Sequence, residues 1–490
     1  MADNNFKITI LGSGTAGLLS AIMLRKAFPV SEIKIISSEK IGIVGVGEGS
    51  TEHWKSFMER CDIPLHEMIR ETHATHKYGL RFENWSNVNP DYFHSISGGD
   101  EDVFAYGLMP VYMGFIDNGM LLTNQTSSSG LRKNKIRRNG LHSATNQFHF
   151  DTFKLNEYLT KICFSRQIIM IDGELVSVNK DSENGNITSV VLSDGQFVDG
   201  DFWIDASGFA RVLLKEVGKA EWNSFSDYLL VDSAIAFPTE SDPSGEIRPY
   251  TRSRAVSSGW VWEIPTQRRR GNGYVYSSRH ISDDNAVKEI SKLLGMEVEP
   301  ARSFHFDPGH IKEVWVKNCC AVGLAGSFVE PIEATSIGST IQQIFMLIPM
   351  LAQYLPHHKH MQKSYNKKFN AVMDNILSMV RLHYMTDKTN TKFWIDARNA
   401  KINDSLQEML NLWSECAPSR YDENINQYSL FKAAHFIHVA QGQNVLNSDA
   451  YNIALARMAI KDKVNISMDR FMQSRTDHEL IDHRVGLEEI

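Results

Sequence analysis

The spacing of hydrophobic residues near the start of the chain predicts a strand, a helix and a second strand in succession. Residues 6–11 form an apolar run, residues 18–27 repeat apolar positions at helical spacing, and residues 32–36 form another short apolar segment. Glycines separate the first strand from the helix. A strand–helix–strand succession predicts parallel pairing of the two strands, and with it an α/β fold.

The middle of the chain is predicted to be rich in strands. Residues 167–205 contain several strand patterns, with Asn184-Gly185 as a turn between two of them. Residues 228–280 alternate apolar and polar positions, which predicts a β-sheet with Gly271-Asn272-Gly273 as a hairpin turn. These strands interrupt the α/β pattern and indicate an inserted sheet.

Helical periods dominate the rest. Residues 53–76 predict a helix, and from Thr340 to the end strand signals are scarce. Residues 77–150 are richer in Asn, Ser and Gly and predict loops and short strands on a surface. The predicted organisation is one nucleotide-binding core interrupted by insertions and followed by a helical C-terminal part.

Composition narrows the functional classes. Of 490 residues, 42% are hydrophobic and 22% charged, which excludes wholesale disorder, and the net charge of −7 argues against a nucleic-acid partner. The five cysteines include no C-x-x-C pair, which indicates a reducing compartment and no zinc ribbon. Residues 1–7 lack a signal-peptide pattern, and the longest apolar run, residues 344–352, is too short to span a membrane. We therefore expect a cytoplasmic protein with no metal site.

A glycine-rich turn follows the first strand and begins the helix. Gly12, Gly14 and Gly17 form a G-x-G-x-x-G motif, in which glycines allow a tight turn and a close approach of the backbone to a pyrophosphate. The helix N-terminus favours the phosphate charge. About 20 residues further on, where an acidic ribose partner is expected, stands Ser37, and the nearest acid is Glu39. This departure weakens a prediction of NAD and leaves FAD open.

Further motifs extend this reading. Trp260, Trp262 and Pro265 belong to a W-x-W-x-I-P motif, and residues 45–51 form a glycine- and valine-rich segment. Residues 205–209 and 323–333 resemble second and third FAD fingerprints. In this order, from Gly12 to Trp394, the motifs resemble those of the flavin-dependent halogenases of the tryptophan halogenase family.

The resemblance implies an FAD-binding Rossmann-like fold of the aromatic monooxygenase type. It implies an inserted β-sheet region and a helical C-terminal part that binds substrate. The expected boundaries are a discontinuous FAD-binding module of residues 1–90, 150–225 and 300–350, insertions at 91–149 and 226–299, and a C-terminal module of 351–490. The residues expected to bind FAD are Gly12, Gly14, Thr15, Ala16, Gly17, Ser37, Glu39, Gly47, Glu48, Asp205 and Gly326. The tryptophan motif is expected on the flavin side.

The resemblance also implies a reaction. A separate NAD(P)H-dependent flavin reductase supplies FADH2, which with oxygen and a halide ion yields hypohalous acid. The acid passes through a tunnel to a catalytic lysine, here Lys77, which captures it as a haloamine or by hydrogen bonding. Glu333 is expected to polarise the oxidant and help remove the ring proton. The backbone N–H groups of Thr335 and Ser336 are expected to bind the halide, although family members usually carry Gly at the second position.

The substrate is expected to be an aromatic or heteroaromatic small molecule. His94 and Ile96 fall in a segment that stacks a ring against tryptophan in family members, but Ile96 stands where tryptophan-specific members often carry Phe. Tryptophan and smaller aromatics therefore both stay open, as do chloride, bromide and iodide. A homo-oligomer is possible. Two alternatives remain at this point, an FAD-dependent aromatic monooxygenase and a non-catalytic flavin-binding protein.

Overall fold

The computed structural model describes most of the chain. The described residues are 6–38, 40, 42, 48–95, 131, 133–137, 147–242, 244–356, 358–416, 418, 422, 429–446, 448–458, 462–463, 465–466 and 480–489. Glu39, Gly47 and Ile96, which were expected to bind cofactor or substrate, lie outside them.

The predicted α/β core is a mainly parallel sheet. Within the described residues its strand order is Trp315–Val316, Cys319–Ala321, Phe202–Asp205, Lys7–Leu11, Glu32–Ser37, Ile169–Asp172. All neighbours pair in parallel except Trp315–Val316, which is antiparallel at one edge. The first strand and the helix Thr15–Ala27 confirm the prediction of a strand–helix–strand start. Because the strands are parallel, the loops that follow their carboxyl ends meet at one edge, where such folds bind nucleotides.

Two of the loop glycines are required by close packing. Gly12 has φ +110°, and a Cβ there would lie 2.4 Å from the Ala206 carbonyl oxygen. A Cβ on Gly17 would lie 1.9 Å from the Gly12 carbonyl oxygen. Neither contact can relax by a side-chain movement, since both involve backbone atoms.

Substitution of Gly17 therefore tests the loop. We expect Gly17→Ala to lower the free energy of unfolding by about 1–3 kcal/mol and to weaken FAD binding, because the loop must move away from the helix. Gly14→Ala is the matched control for stability alone, since Gly14 has φ −66° and a Cβ there would meet no atom of the described residues within 4 Å. Thermal unfolding and FAD titration of both variants are the measurements. Equal stability of Gly17→Ala and wild type would contradict the expectation.

The inserted sheet is confirmed, but its predicted hairpin turn is wrong. The strand order among the described residues is Arg302–His305, Ser233–Glu240, Arg269–Tyr276, Gly259–Pro265, Thr251–Val256, Gly79–Glu83, Asp91–Ser95. Gly271-Asn272-Gly273 lies inside one of these strands, and the chain turns at residues 266–268 instead. Packing explains the glycine at position 273, because a Cβ on Gly273 would lie 2.0 Å from the Trp262 ring on the neighbouring strand.

The predicted helix over residues 53–76 is confirmed only in part, because it is interrupted at residues 61–64 and ends at Thr72. Helices His53–Arg60 and Leu65–Thr72 are followed by the strand Thr75–His76. Asp62 and His73 adopt positive φ and end the two helices. The short strand pairs with Phe148–Phe150, which pairs on its other side with Glu48–Gly49. This small sheet joins Glu48–Gly49, which belong to the glycine-rich segment, to His76, the residue before Lys77.

The C-terminal part is mainly helical, as predicted. Its described helices are Thr335–Leu351, Lys359–His383, Lys392–Arg398, Asp404–Glu415, Ala433–Gly442, Ser448–Met458 and His483–Glu488. Helix Thr335–Leu351 packs against helix Thr15–Ala27 of the core. Strand Leu480–Asp482 departs from the helical pattern and pairs with Lys135–Arg137.

The remaining elements complete the layers around the core. The other helices are Thr152–Ser165, Val212–Val217 and Asp283–Leu294, and the other strands are Leu175–Lys180, Ile187–Leu192, Phe197–Asp199, Trp222–Ser224, Gly309–Ile311 and Ser327–Phe328. None of the helices in the described ranges is long and apolar enough to cross a membrane. The cysteine pair Cys319-Cys320 is buried in the core sheet, and all the cysteines are free thiols.

Candidate active site

The N-terminus of helix Thr15–Ala27 is open toward the carboxyl edge of the core sheet. The first N–H groups of a helix have no partner within it, which makes them donors for an anion. Gly14 precedes them, and no atom of the described residues lies within 4 Å of the position its Cβ would take. Ser37 ends the neighbouring strand, whose Ile36 carbonyl accepts from Gly12 N–H at 2.8 Å. These features fit the pyrophosphate and ribose of a dinucleotide.

Asp205 lies beside this loop, but its carboxylate is occupied by protein groups. Oδ1 accepts from the backbone N–H and hydroxyl of Ser207 at 3.0 and 2.6 Å. Oδ2 accepts from the N–H groups of Leu213 and Leu214 at 2.9 and 2.8 Å. The side chain thereby fixes the segment that packs on Gly12, which makes it a positioning residue for the loop.

The third glycine motif connects the core sheet to helix Thr335–Leu351. Gly326 N–H donates to the Gly323 carbonyl at 2.9 Å. Gly323 has φ +57°, and a Cβ there would lie 2.5 Å from the Ala16 side chain, so this segment lies directly on the start of the first helix. The close contact places the following residues, 329–335, next to the nucleotide edge. We call residues 329–335 the glutamate loop.

The tryptophan motif supports the glutamate loop through a buried carboxyl group. Trp260 Nε1 donates to Glu330 Oε1 at 2.9 Å, and Tyr384 Oη donates to the same oxygen at 2.6 Å. Burial raises the pKa of Glu330 to about 7, although the two hydrogen bonds oppose that shift. Trp262 points to the same face of its strand and packs over Gly273. The motif thus holds the loop that carries Glu333.

Loss of the hydrogen bond from Trp260 should destabilise the glutamate loop more than a loss of ring volume at Trp262, which does not contact Glu330. We expect Trp260→Phe to lower stability by about 1–3 kcal/mol and to lower turnover, because a buried acceptor loses a donor. Trp262→Phe is the control, since it trims a neighbouring ring without touching Glu330. Unfolding curves and product formation with FAD bound are compared. Equal losses in both variants would contradict a role of the hydrogen bond.

Glu333 is the centre of a buried hydrogen-bond network. Its Oε1 accepts from His94 Nδ1 at 2.9 Å and from His383 Nε2 at 2.7 Å. Burial alone would raise the pKa of Glu333, but the two histidines hold it well below its ordinary value. Tyr92 Oη lies 3.5 Å from His383 Nδ1 and accepts from Gln443 Nε2 at 2.9 Å. The carboxylate is therefore charged inside the protein.

Lys77 is fully buried beside the short strand Glu48–Gly49. Its Nζ donates to the Ser50 carbonyl at 3.0 Å. Burial lowers the pKa of Lys77 to about 8, and the negative charge of Glu333 partly opposes this shift. A Cβ on Gly49 would lie 3.5 Å from Lys77 Nζ and 3.4 Å from the Ala334 side chain. Lys77 and the glutamate loop therefore lie close to each other on one side of Gly49. His149 is also in contact range of that point, and burial keeps its pKa well below the ordinary value.

Thr335 and Ser336 begin the helix that follows the glutamate loop. Ala334 has φ +53°, which turns the chain sharply into the helix. Thr335 is buried and Ser336 is exposed. Their N–H groups are among the first of the helix and have no intrahelical partner, which suits an anion. The helix lies close to the glycine-rich segment, since a Cβ on Gly338 would lie 2.3 Å from Thr51 Oγ1.

Comparison with known proteins identifies the family. A sequence profile for tryptophan halogenases matches residues 7–459, which is nearly the whole chain. This chain belongs to the tryptophan halogenase family. It is 30% identical over 465 residues to tryptophan 6-halogenase SttH of Streptomyces toxytricini, covering 87% of this chain and 86% of that protein.

Solved halogenases share the fold over their full length. The crystal structure of a tryptophan halogenase from Shewanella frigidimarina matches with a TM-score of 0.88 and 25% identity, covering 99% of this chain and 97% of that one. Xcc4156, a flavin-dependent halogenase from Xanthomonas campestris, matches with a TM-score of 0.82 and 28% identity, over 99% and 98% of the two chains. Members of the tryptophan halogenase family are flavin-dependent enzymes, so the chain is a flavin-dependent halogenase with an FAD-binding Rossmann-like fold, and the family uses FAD and halide.

For this member of the family, the structure adds residues and roles that sequence reasoning missed. Glu330 and Tyr92 fell within segments that the sequence singled out but were given no role of their own, and His149 was not singled out, since buried carboxyl, imidazole and phenol groups have no local sequence signal. His483 was missed as well, although its Nε2 accepts from the backbone N–H of His76 at 3.0 Å. This contact brings the C-terminal segment to the residue that precedes Lys77.

Proposed function

We propose that this halogenase uses FADH2 and oxygen to halogenate an aromatic or heteroaromatic small molecule by way of hypohalous acid and Lys77. One observation carries the proposal: a fully buried lysine and a buried, charged glutamate influence each other at the meeting point of the glycine-rich segment and the glutamate loop. Burying two charges is costly, and buried charges with perturbed pKa values cluster at functional sites. An ammonium and a carboxylate facing one reaction space suit delivery of an electrophile and removal of a proton.

The cofactor would lie along the carboxyl edge of the core sheet. Gly14, Thr15 and Ala16 would hold its pyrophosphate, with Gly12, Gly17, Asp205 and Gly326 shaping the surrounding loops. Ser37 and Glu39 would face the ribose, and Gly47 and Glu48 would cover the flavin. When bound, reduced FAD supplies the electrons with which oxygen and halide give hypohalous acid. A separate NAD(P)H-dependent flavin reductase is the proposed source of FADH2, and the free cysteines suit a reducing cytoplasm.

The halide would bind at the start of helix Thr335–Leu351. The N–H groups of Thr335 and Ser336 would hold a monovalent anion, and the helix N-terminus adds favourable charge. Ser336 replaces a residue that is usually Gly in the family, and this departure leaves the halide preference open. Chloride, bromide and iodide are all candidates.

The pH dependence distinguishes the two roles open to Lys77. With a pKa of about 8, the side chain is mostly an ammonium at pH 7 and mostly a neutral amine at pH 9. If the ammonium donates a hydrogen bond to the oxidant, turnover falls as pH rises through about 8. If a neutral amine must first form a haloamine, turnover rises over the same interval. Initial rates between about pH 6 and 10, with reduced flavin supplied photochemically to bypass the reductase, would separate the two.

The substrate class is tested by a mass-spectrometric screen. Purified protein, FAD, a flavin reductase and NADH are combined with a panel of indoles, phenols and heteroaromatics, including tryptophan, the substrate that the name of SttH indicates for that relative. Chloride, bromide and iodide are tested separately, with Lys77→Ala beside the wild type. We expect mass shifts that match the added halogen in the wild type only. Hydroxylated products, or none despite FAD binding, would refute the proposal.

A further inference from the structure

The Glu333 carboxylate is held by two histidines whose hydrogen-bond directions are determined. Oε1 accepts from His94 Nδ1 and His383 Nε2, and all three side chains are fully buried. An ionised carboxylate only accepts hydrogen bonds, so each of these ring nitrogens carries a proton. In a neutral imidazole the other ring nitrogen is then an acceptor. For His383 that acceptor faces Tyr92 Oη at 3.5 Å.

The second ring nitrogen of His94 has no corresponding partner among the described residues. Nε2 of His94 is buried and has no hydrogen-bond partner in the part of the chain that the structure describes, and the same is true of Glu333 Oε2. The rings of His435 and His438 stand edge-on, 5.4 and 5.9 Å from the His94 ring centre. Burial lowers the pKa of His435 to about 3, so that ring is neutral and adds no positive charge beside His94. Buried acceptors ordinarily have donors, so these two atoms indicate a place for a group that the substrate provides.

We propose that His94 Nε2 is the base that takes the ring proton of the substrate, with Glu333 orienting the imidazole. This inference rests on the proposed halogenation and assigns to His94 a role other than the ring stacking expected from the sequence. It also changes the role expected of Glu333: the Glu333 carboxylate stabilises positive charge on His94, and the His94 imidazole, instead of Glu333, receives the ring proton.

The proton and electron balance is simple. With Lys77 in its hydrogen-bonding role, the substrate carbon bonds to the halogen of hypohalous acid as the halogen–oxygen bond breaks, and the departing oxygen takes a proton from the Lys77 ammonium to give water. The C–H electron pair then returns to the ring while its proton passes to His94 Nε2. The Glu333 carboxylate stabilises the resulting imidazolium through Nδ1–H. Proton exchange with solvent restores Lys77 and His94.

His94 is the better proton acceptor because two N–H donors weaken Glu333 as a base. A carboxylate that accepts from two imidazoles has its charge already stabilised, and its pKa is held well below the ordinary value. The same carboxylate makes the far nitrogen of a neutral imidazole more basic and fixes its tautomer. The arrangement of an acid residue behind a histidine is that of general-base catalysis.

Two substitutions separate three possible roles of His94. His94→Phe keeps an aromatic ring for stacking but has neither nitrogen. His94→Asn keeps a donor near the position of Nδ1 for Glu333 but has no atom at the position of Nε2. The probe is indole, phenol or pyrrole, whichever the wild type halogenates fastest, in its ordinary and ring-deuterated forms. Product is measured by mass spectrometry, and hypohalous acid is measured in parallel with a chemical trap.

If His94 is the base, both variants lose turnover by about 10²-fold while still forming hypohalous acid. The deuterium isotope effect on kcat rises above that of the wild type, because proton removal becomes slow. His383→Phe is the matched control: it also removes a donor to Glu333 Oε1, but its other nitrogen already faces Tyr92. Its kcat is expected to fall without a larger isotope effect.

Other outcomes overturn the inference. Full activity of His94→Phe would show that His94 acts only by stacking on the substrate. Full activity of His94→Asn would show that it acts only by positioning Glu333. Lower turnover in both variants without a larger isotope effect would also exclude the base. Absence of both hypohalous acid and product in the wild type would instead refute the proposed function. FAD binding and thermal unfolding are measured for each variant. If His94→Phe does not fold, the turnover and isotope effect of His94→Asn alone test whether His94 is the base.

Discussion

Lys77→Ala is expected to lower halogenation by about 10³-fold while leaving FAD bound. The ammonium is a buried donor at the meeting point of the glycine-rich segment and the glutamate loop, and removal of one such preorganised donor has an effect of about 10²–10³-fold in other enzymes. The additional loss reflects the missing capture of hypohalous acid, which then diffuses away from the substrate. The measurement is product formation by mass spectrometry at matched FAD occupancy, together with trapping of free hypohalous acid. We expect the trapped acid to persist as product disappears.

Two control variants make the Lys77 result specific. Lys77→Met keeps most of the side-chain volume and removes the buried charge, so it should be as stable as the wild type and as inactive as Lys77→Ala. Lys161→Ala removes an exposed lysine that pairs with Glu71 at the surface and should retain activity. Substantial product from Lys77→Met would show that the oxidant reaches the substrate without this ammonium.

Glu333→Gln is expected to lower kcat by about 10²–10³-fold with little change in stability. The amide oxygen can still accept from His94 and His383, so the packing of the buried network is preserved. The negative charge that stabilises a proton near the reacting carbon is lost. Turnover, bound FAD and trapped hypohalous acid are measured as for Lys77, and the acid should still form.

Glu330→Gln is the matched control for Glu333. This residue lies one turn away on the same loop, is equally buried and also accepts two hydrogen bonds, from Trp260 and Tyr384. Its pKa of about 7 means that it is partly neutral already, so an amide changes less. We expect a far smaller loss of kcat than in Glu333→Gln. Equal losses in the two variants would mean that the loop, and not the charge of Glu333, determines the rate.

Local features of the sequence were sufficient for the α/β core. The G-x-G-x-x-G turn must lie between a strand and a helix because its glycines allow contacts that no Cβ permits, and both Gly12 and Gly17 make such contacts. The inserted sheet followed from alternation of apolar and polar residues. The error at Gly271-Asn272-Gly273 has the same physical origin, since a glycine that gives room to Trp262 looks like a turn glycine when only neighbouring residues are considered.

Sequence motifs also indicated Lys77, Glu333 and the N–H groups proposed to bind halide, through their resemblance to one enzyme family. They did not indicate what surrounds these groups. His94 and His383 lie 239 and 50 residues from Glu333 along the chain, and His483 reaches the backbone of His76 across 407 residues. Such contacts depend on strand order and on the packing of helices, for which a single sequence has no local signal.

The sequence by itself therefore determined the fold class, the cofactor class and the identity of the two charged residues, because each depends on short-range geometry or on a compact motif. Only the tertiary structure decided how those residues are charged. Burial makes Lys77 easier to deprotonate, and two histidines keep Glu333 ionised. The protonation of a group depends on its solvation and on the charges near it, and both arise only when distant segments pack together.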